Sequence, residues 1–209
     1  RTTVVQSWRG TRYLGQAVSQ GFSGILSAPY YLDAMKSAEQ NYLADPLAGD
    51  STLTRDEAAR VLGGEACMWA ELVSDGTIDS RIWPRLAAIA ERFWSPENVK
   101  DVGDMYRRLA IENVRLEDLG LGQESHTDRF LRRIVNGPDI APLATLLRLA
   151  EPVKLGQRVH AGPTLQTTPL VQIVDAAEPD PPARWALQRM VSDLISSHPA
   201  DAVATRDSL

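Results

Sequence analysis

An α/β fold with a parallel sheet, followed by a mainly helical tail, is what this 209-residue sequence predicts. Two observations carry the prediction. Short β-branched or aliphatic runs alternate with amphipathic segments over residues 1–95, the pattern of strands joined by helical crossovers. Beyond residue 125 the character changes: nine of the thirteen prolines lie between Pro138 and Pro199, which excludes one long helix or a regular sheet there.

Taken in order, Val4-Val5-Gln6-Ser7-Trp8 is a strand ended by Gly10, and residues 11–22 place Leu14, Ala17 and Val18 at helical spacing. Gly24-Ile25-Leu26-Ser27-Ala28-Pro29 predicts a second, buried strand stopped by proline. A loop is expected from Tyr31 to about Leu53. Thr54 with Glu57 three residues on is a capping-box pattern and predicts a short helix over 54–60. Val61 to Trp69 is the expected third strand. Ile82, Leu86, Ile89 and Phe93 form one apolar face, predicting a helix from Asp79 to Trp94 with Pro84 near its start. A further helix is expected over 99–119, with Val102, Met105, Leu109 and Val114 as its apolar positions and Gly120 as its stop. In the tail, helices are expected at 127–135, 141–150 and 182–196, the last burying a stripe of Trp185, Met190 and Leu194. The final ten residues are expected to fray.

Composition excludes several classes of function. A net charge of -5 with no basic cluster argues against nucleic acid or an anionic membrane surface as partner. No apolar run is long enough to insert in a membrane. Cys67 is the single cysteine, so no intramolecular disulfide forms, and mid-strand it is expected to be a small buried apolar residue. His126, His160 and His198 lack ligand spacing, so no metal is expected, and there is no phosphate-binding glycine loop. The chain starts Arg1-Thr2-Thr3, without an initiating Met or a signal-peptide pattern, and enters a strand almost at once. It is therefore expected to be a portion of a longer protein, with any targeting signal upstream.

Aromatic and acidic residues gather at the predicted strand ends: Trp8 ends the first, Tyr31 and Asp33 follow the second, and Trp69 and Glu71 end the third. In an extended stretch residues i and i+2 share a face, so each aromatic–carboxylate pair is expected to point one way. In a barrel of βα units the active site lies at these C-terminal strand ends. Aromatic faces against sugar C–H surfaces, with carboxylates for hydroxyls, are what a carbohydrate pocket requires. On spacing alone, core roles for each tryptophan, and an ordinary α/β protein with chance aromatics, stay open.

Four segments resemble glycoside hydrolase family 20 β-N-acetylhexosaminidases, in order and at natural spacing. They are Val4-Val5-Gln6-Ser7-Trp8; Ile25-Leu26-Ser27-Ala28-Pro29-Tyr30-Tyr31-Leu32-Asp33; Gly63-Gly64-Glu65-Ala66-Cys67-Met68-Trp69-Ala70-Glu71; and the helix Ser80-Arg81-Ile82-Trp83-Pro84-Arg85-Leu86-Ala87-Ala88-Ile89-Ala90-Glu91-Arg92-Phe93-Trp94-Ser95. The resemblance implies about the last three strands of a (β/α)8 TIM barrel over residues 1–122 and a helical C-terminal extension over 123–209. It implies a retaining glycosidase releasing terminal β-linked N-acetylglucosamine or N-acetylgalactosamine. The substrate's own 2-acetamido oxygen is the nucleophile and an oxazolinium ion the intermediate, an exception to the two-carboxylate scheme. Tyr31 then corresponds to the catalytic tyrosine that holds the acetamido oxygen. Trp8 and Trp69 correspond to pocket walls, and Glu71 to the carboxylate for O4 and O6. Asp33 corresponds to an acidic residue that binds hydroxyls or orients neighbours. No cofactor is implied, and the partners expected are N-acetylhexosamine-containing glycans and the rest of the barrel upstream. The chain itself fixes no compartment; the resemblance implies a periplasmic or extracellular, bacterial-like parent.

In the family the general acid is a glutamate preceded by an aspartate, on an earlier strand than any present. Asp56-Glu57 mimics that pair but precedes the third strand and lacks the flanking glycines, so a capping role on a surface helix is expected. The 209 residues alone are accordingly expected to be inactive. The alternative is a non-catalytic carbohydrate-binding module on the same barrel. Arg81, Arg85, Glu91 and Arg92 are expected to make ion pairs within the helix or between elements, with Arg81 an outside candidate for the site mouth. Trp83 and Trp94 are expected in the core.

Overall fold

A computed structural model describes residues 2–47, 53–154, 157, 160 and 173–197. Three short strands, β1 (Val4–Ser7), β2 (Ser23–Leu26) and β3 (Val61–Gly64), form one parallel sheet in the order β1-β2-β3. Helix α1 (Thr11–Ser19) crosses from β1 to β2 and buries Leu14 and Val18. Between β2 and β3 the chain forms two 3-10 turns, Ala28–Tyr30 and Leu32–Ala34, then α2 (Ala38–Leu43) and α3 (Arg55–Ala58). The expected loop from Tyr31 to Leu53 therefore contains a helix. Ser37 and Gln40 close a capping box at the start of α2, a local signal legible in the sequence.

The third strand stops at Gly64, short of the expected Trp69, and continues only as an isolated bridge between Tyr31 and Cys67. Its two glycines have separate reasons. A register irregularity separates the Gly24–Val61 and Ile25–Gly63 pairs, and Gly63 takes φ +131°, backbone that a side chain disfavours. At Gly64 a Cβ would lie 2.3 Å from Phe93 Cε1 and 2.9 Å from Tyr30 Cε2. Gly64→Ala is therefore expected to destabilise the fold by about 1–3 kcal/mol, the usual cost of overpacking; urea unfolding would measure it.

The helix expected from Asp79 to Trp94 is two: α4 (Ile78–Ile82) and α5 (Arg85–Trp94). Pro84 disfavours helical backbone at the residue before it, and Trp83 is extended at φ -99°, ψ 152°. Ile89 of α5 packs with Leu14, Val18, Leu26, Tyr30 and Leu32 to form the core on one face of the sheet. On the other face, among the described residues, Val4 and Leu62 are exposed. Parallel sheets are stable when both faces are covered, so a sheet covered on one face fits a portion of a barrel.

Helix α6 (Val102–Asp118) follows, capped by Asp101, whose carboxylate accepts the Asp104 amide at 2.9 Å. Then come α7 (Ser125–Val135), α8 (Ala141–Leu147), α9 (Ile173–Ala176) and α10 (Pro182–Ser197). Phe130, Leu131, Ile140, Leu147, Ala176 and Ala177 form a second core within the tail. On α10 the expected buried stripe is not formed: Met190 and Leu194 are exposed, and only Trp185 packs, 4.5 Å from the Tyr106 ring. Trp94 is 90% exposed rather than core, and Trp83 and Cys67 are half-buried. Residues 200–209, expected to fray, lie outside the described residues.

The four charged residues expected in ion pairs find different partners. The Arg81 guanidinium is buried and donates to the carbonyls of Ala177 (2.7 Å) and Asp175 (2.8 Å). Arg85, also buried, donates to the carbonyls of Lys36 (2.9 Å), Leu32 (3.1 Å) and Arg81. Glu91 and Arg92 do pair between elements, Glu91 with Arg108 and Arg92 with Asp45 at 3.7 Å. A carbonyl-rich interior selects arginine because its planar fork satisfies several acceptors at once.

Candidate active site

Register brings the strand ends together. Ser7 pairs with Leu26, and Leu26 with Gly64, so the chain leaves all three strands at one edge of the sheet. Trp8 is the first residue past β1. The Ser7 hydroxyl turns the chain there by donating to the Gly10 carbonyl at 2.7 Å. The Trp8 ring is 56% exposed, and the Arg9 guanidinium lies 4.6 Å from its centroid.

After β2 two adjacent tyrosines differ in burial. Tyr30 is fully buried, meets Phe93 edge-on at 4.7 Å and donates to the Ala44 carbonyl at 3.1 Å. Burial pushes its phenol well above the ordinary tyrosine range. Tyr31 is half-buried. The backbone around it is tied to the loop after β3: the Cys67 amide donates to the Tyr30 carbonyl at 3.2 Å, and the Leu32 amide to the Cys67 carbonyl at 2.9 Å.

Asp33 completes the lock. Its two carboxylate oxygens accept the backbone amides of Trp69 (2.7 Å) and Ala70 (2.8 Å), and the residue is buried. Charged acceptors of backbone N–H groups make short, strong bonds. Ala70, at φ +62°, is a non-glycine residue in left-handed backbone, held by this carboxylate. Beyond it Trp69 is 65% exposed and Glu71 is exposed. The paired same-face geometry expected for Tyr31 with Asp33 is not what forms. Leu32–Ala34 is a 3-10 turn, which sends Asp33 inward while Tyr31 stays half-exposed. The left-handed Ala70 likewise interrupts the extended alternation between Trp69 and Glu71.

Sequence reasoning missed one polar pair. Gln6 Nε2 donates to Glu65 Oε2 at 2.5 Å, bridging the ends of β1 and β3 across β2. Gln6 stands two residues before Trp8, on the same face of an extended strand, which is the signal that would have found it. Asp56 and Glu57 lie on α3, which leads into the opposite end of β3. Glu57 Oε2 accepts the Thr54 amide at 2.8 Å, a capping box as expected. The hydrogen bond from that amide is the main reason its carboxyl sits below the usual glutamate range. Arg81 is buried at the tail rather than at the site mouth. His126 is buried too, its Nε2 3.0 Å from the Asp175 carbonyl, and burial pulls it down to about 4. Among the described residues no group of three His, Cys, Asp or Glu is placed to hold a metal.

A cavity of about 300 Å³ does exist elsewhere, lined by Trp83, Tyr106, Leu109, Gln123, Glu178 and Trp185. None of the strand-end residues borders it. Trp8, Tyr31, Trp69 and Glu71 instead follow the three strand ends at one edge of the sheet, with Trp8, Trp69 and Glu71 exposed.

A portion of a TIM barrel with aromatic and acidic residues after its strand ends is the class these features define. Residues 1–97 match the model of the glycosyl hydrolase family 20 catalytic domain. The chain is 38% identical over 128 residues to the β-hexosaminidase subunit beta of Felis catus, covering 58% of this chain and 24% of that protein. The human subunit beta is 35% identical over 128 residues. The chitobiase of Flavobacterium johnsoniae superposes with a TM-score of 0.85 at 38% identity, over 95% of this chain and 32% of that structure. An exo β-N-acetylglucosaminidase from Vibrio harveyi, solved with N-acetylglucosamine, gives a TM-score of 0.50 at 25% identity over 57% of this chain. The chain thus spans about a quarter of the length of the curated relatives it matches.

Proposed function

We propose that the protein carrying this chain is a retaining β-N-acetylhexosaminidase that removes terminal β-linked N-acetylglucosamine or N-acetylgalactosamine from glycans. The substrate's acetamido oxygen attacks C1 as the bond to the leaving oxygen breaks, and that oxygen takes a proton from a general acid supplied upstream. Water then opens the oxazolinium ion from the same face as the departed group, retaining configuration. Tyr31 holds the acetamido oxygen in line, Trp8 and Trp69 wall the sugar, and Glu71 accepts hydroxyl protons. Asp33 acts as the orienting residue between them.

The observation that supports this most is the Asp33 lock on the amides of Trp69 and Ala70. It fixes the loop of Tyr31 against the loop of Trp69 and Glu71, so that an acetamido-holding group and a hydroxyl-binding group share one rigid frame. Hexosaminidase names among the relatives, and the N-acetylglucosamine complex of the Vibrio enzyme, point to the same substrate.

The test compares chromogenic β-N-acetylglucosaminide with the β-glucoside that lacks the acetamido group. The full-length protein is expected to turn over the first and not the second; equal rates would count against a substrate-borne nucleophile. The 209 residues purified alone are expected to release no chromophore from either. Their strand ends carry no proton donor with the flanking aspartate, and their open sheet edges favour association. Turnover by this chain alone would contradict the assignment of the acid upstream.

A further inference from the structure

The segment 31–38 carries Tyr31 and Asp33 but has little regular structure. It includes a 3-10 turn, a left-handed Met35 at φ +51° and the first residue of α2. A bulky residue in left-handed backbone persists only where its surroundings hold it. Those surroundings come from the far end of the chain. Lys154 Nζ donates to the Met35 carbonyl at 2.5 Å, 119 residues away in sequence. Asp180 Oδ2 accepts the Ala38 amide at 2.8 Å, 142 residues away, and the Tyr106 hydroxyl at 2.7 Å.

Both holding residues are themselves held. Lys154 pairs with Glu151 at 3.1 Å, and Glu151 also pairs with Arg184 on α10. The stretch leading to Asp180 is pinned by Arg81, which donates to the carbonyls of Asp175 and Ala177. Thr127 adds a hydrogen bond to the Ala176 carbonyl at 2.8 Å. From the barrel side Arg85 donates to the carbonyls of Leu32 and Lys36. The loop is therefore gripped at Leu32, Met35, Lys36 and Ala38, two of the four contacts coming from the tail.

We propose that the helical tail is a clamp, in which Lys154 and Asp180 act as positioning residues that hold the 31–38 loop and so set the placement of Tyr31. The clamp stands on contacts seen in the fold; its catalytic consequence rests on the function proposed above. Freed at Met35 and Ala38, the loop would keep its ties to Cys67, Arg85 and the amides of Trp69 and Ala70 but lose both of its tail contacts. Tyr31 and Asp33 would then sample misaligned positions, which lowers turnover more than it weakens binding.

The experiment uses the full-length protein with Lys154→Met, Asp180→Ala and Asp180→Asn. Asparagine keeps an acceptor for the Ala38 amide and the Tyr106 hydroxyl. Amide hydrogen exchange over residues 31–38 is expected to rise about 10-fold in Lys154→Met and Asp180→Ala, with β1–β3 unchanged. On the chromogenic N-acetylglucosaminide kcat is expected to fall about 10- to 100-fold with KM changed less, and Asp180→Asn to recover most of both effects. Unchanged loop exchange in both disrupting variants would overturn the clamp. Increased exchange with kcat intact would overturn the positioning role. If the unmodified protein fails to turn over the substrate, the proposed function fails, and the exchange measurement still judges the clamp.

Discussion

Tyr31→Phe in the full-length protein is expected to lower kcat on a β-N-acetylglucosaminide by about 100-fold or more, comparable to removing one positioned hydrogen-bond donor from a catalytic site. The reason is geometric. An internal nucleophile is effective only in a narrow range of orientations, and the hydroxyl is the group proposed to keep the acetamido oxygen there. Phenylalanine retains the ring in its half-buried place. Stability is expected to change by less than about 0.5 kcal/mol, as at positions outside the core. Tyr30→Phe makes the contrast: it removes a core hydroxyl bonded to the Ala44 carbonyl and is expected to cost about 1–3 kcal/mol of stability with little effect on kcat. Steady-state kinetics with urea unfolding on both variants would check the pair.

Arg85→Met is expected to have the largest effect on stability, a loss of about 3 kcal/mol or more by urea unfolding. Methionine fills similar volume but leaves the carbonyls of Leu32, Lys36 and Arg81 without their shared donor, and although Leu32 keeps the Met35 amide, a buried acceptor left unsatisfied carries its own desolvation cost. Burial pulls the Arg85 guanidinium down to about 9, with the neighbouring Arg81 charge acting in the same direction. It stays protonated at neutral pH, so the buried charge is tolerated because three carbonyls surround it. Arg85→Lys should lose nearly as much, since one ammonium cannot span the same fork. A loss below about 1 kcal/mol would mean that water replaces the missing donor.

What was legible in the sequence followed local rules. Strand–helix alternation predicted the parallel sheet, the Thr54–Glu57 box predicted α3, and the apolar spacing of α6 predicted its span closely. The errors have two causes, backbone exceptions that periodicity ignores and long-range contacts. Periodicity alone runs through Pro84, where the backbone constraint on Trp83 ends one helix and starts another. Met190 and Leu194 have helical spacing, yet nothing in the described fold covers that side of α10. For the site, the strand-end tryptophans, Tyr31 and Glu71 were visible as types at positions. The inward turn of Asp33 onto the amides of Trp69 and Ala70 was not, because a 3-10 turn and a left-handed alanine replace the extended backbone that i, i+2 reasoning assumes. The grips of Lys154 and Asp180 on the loop span more than a hundred residues and leave no local pattern.

The most direct measurement is a crystal structure of the full-length protein with N-acetylglucosamine. The account predicts the sugar at the strand ends, its acetamido oxygen within hydrogen-bond distance of the Tyr31 hydroxyl and its ring against Trp69, with Glu71 on its hydroxyls. A sugar bound there with its acetamido group turned away from Tyr31, or bound elsewhere, would contradict it.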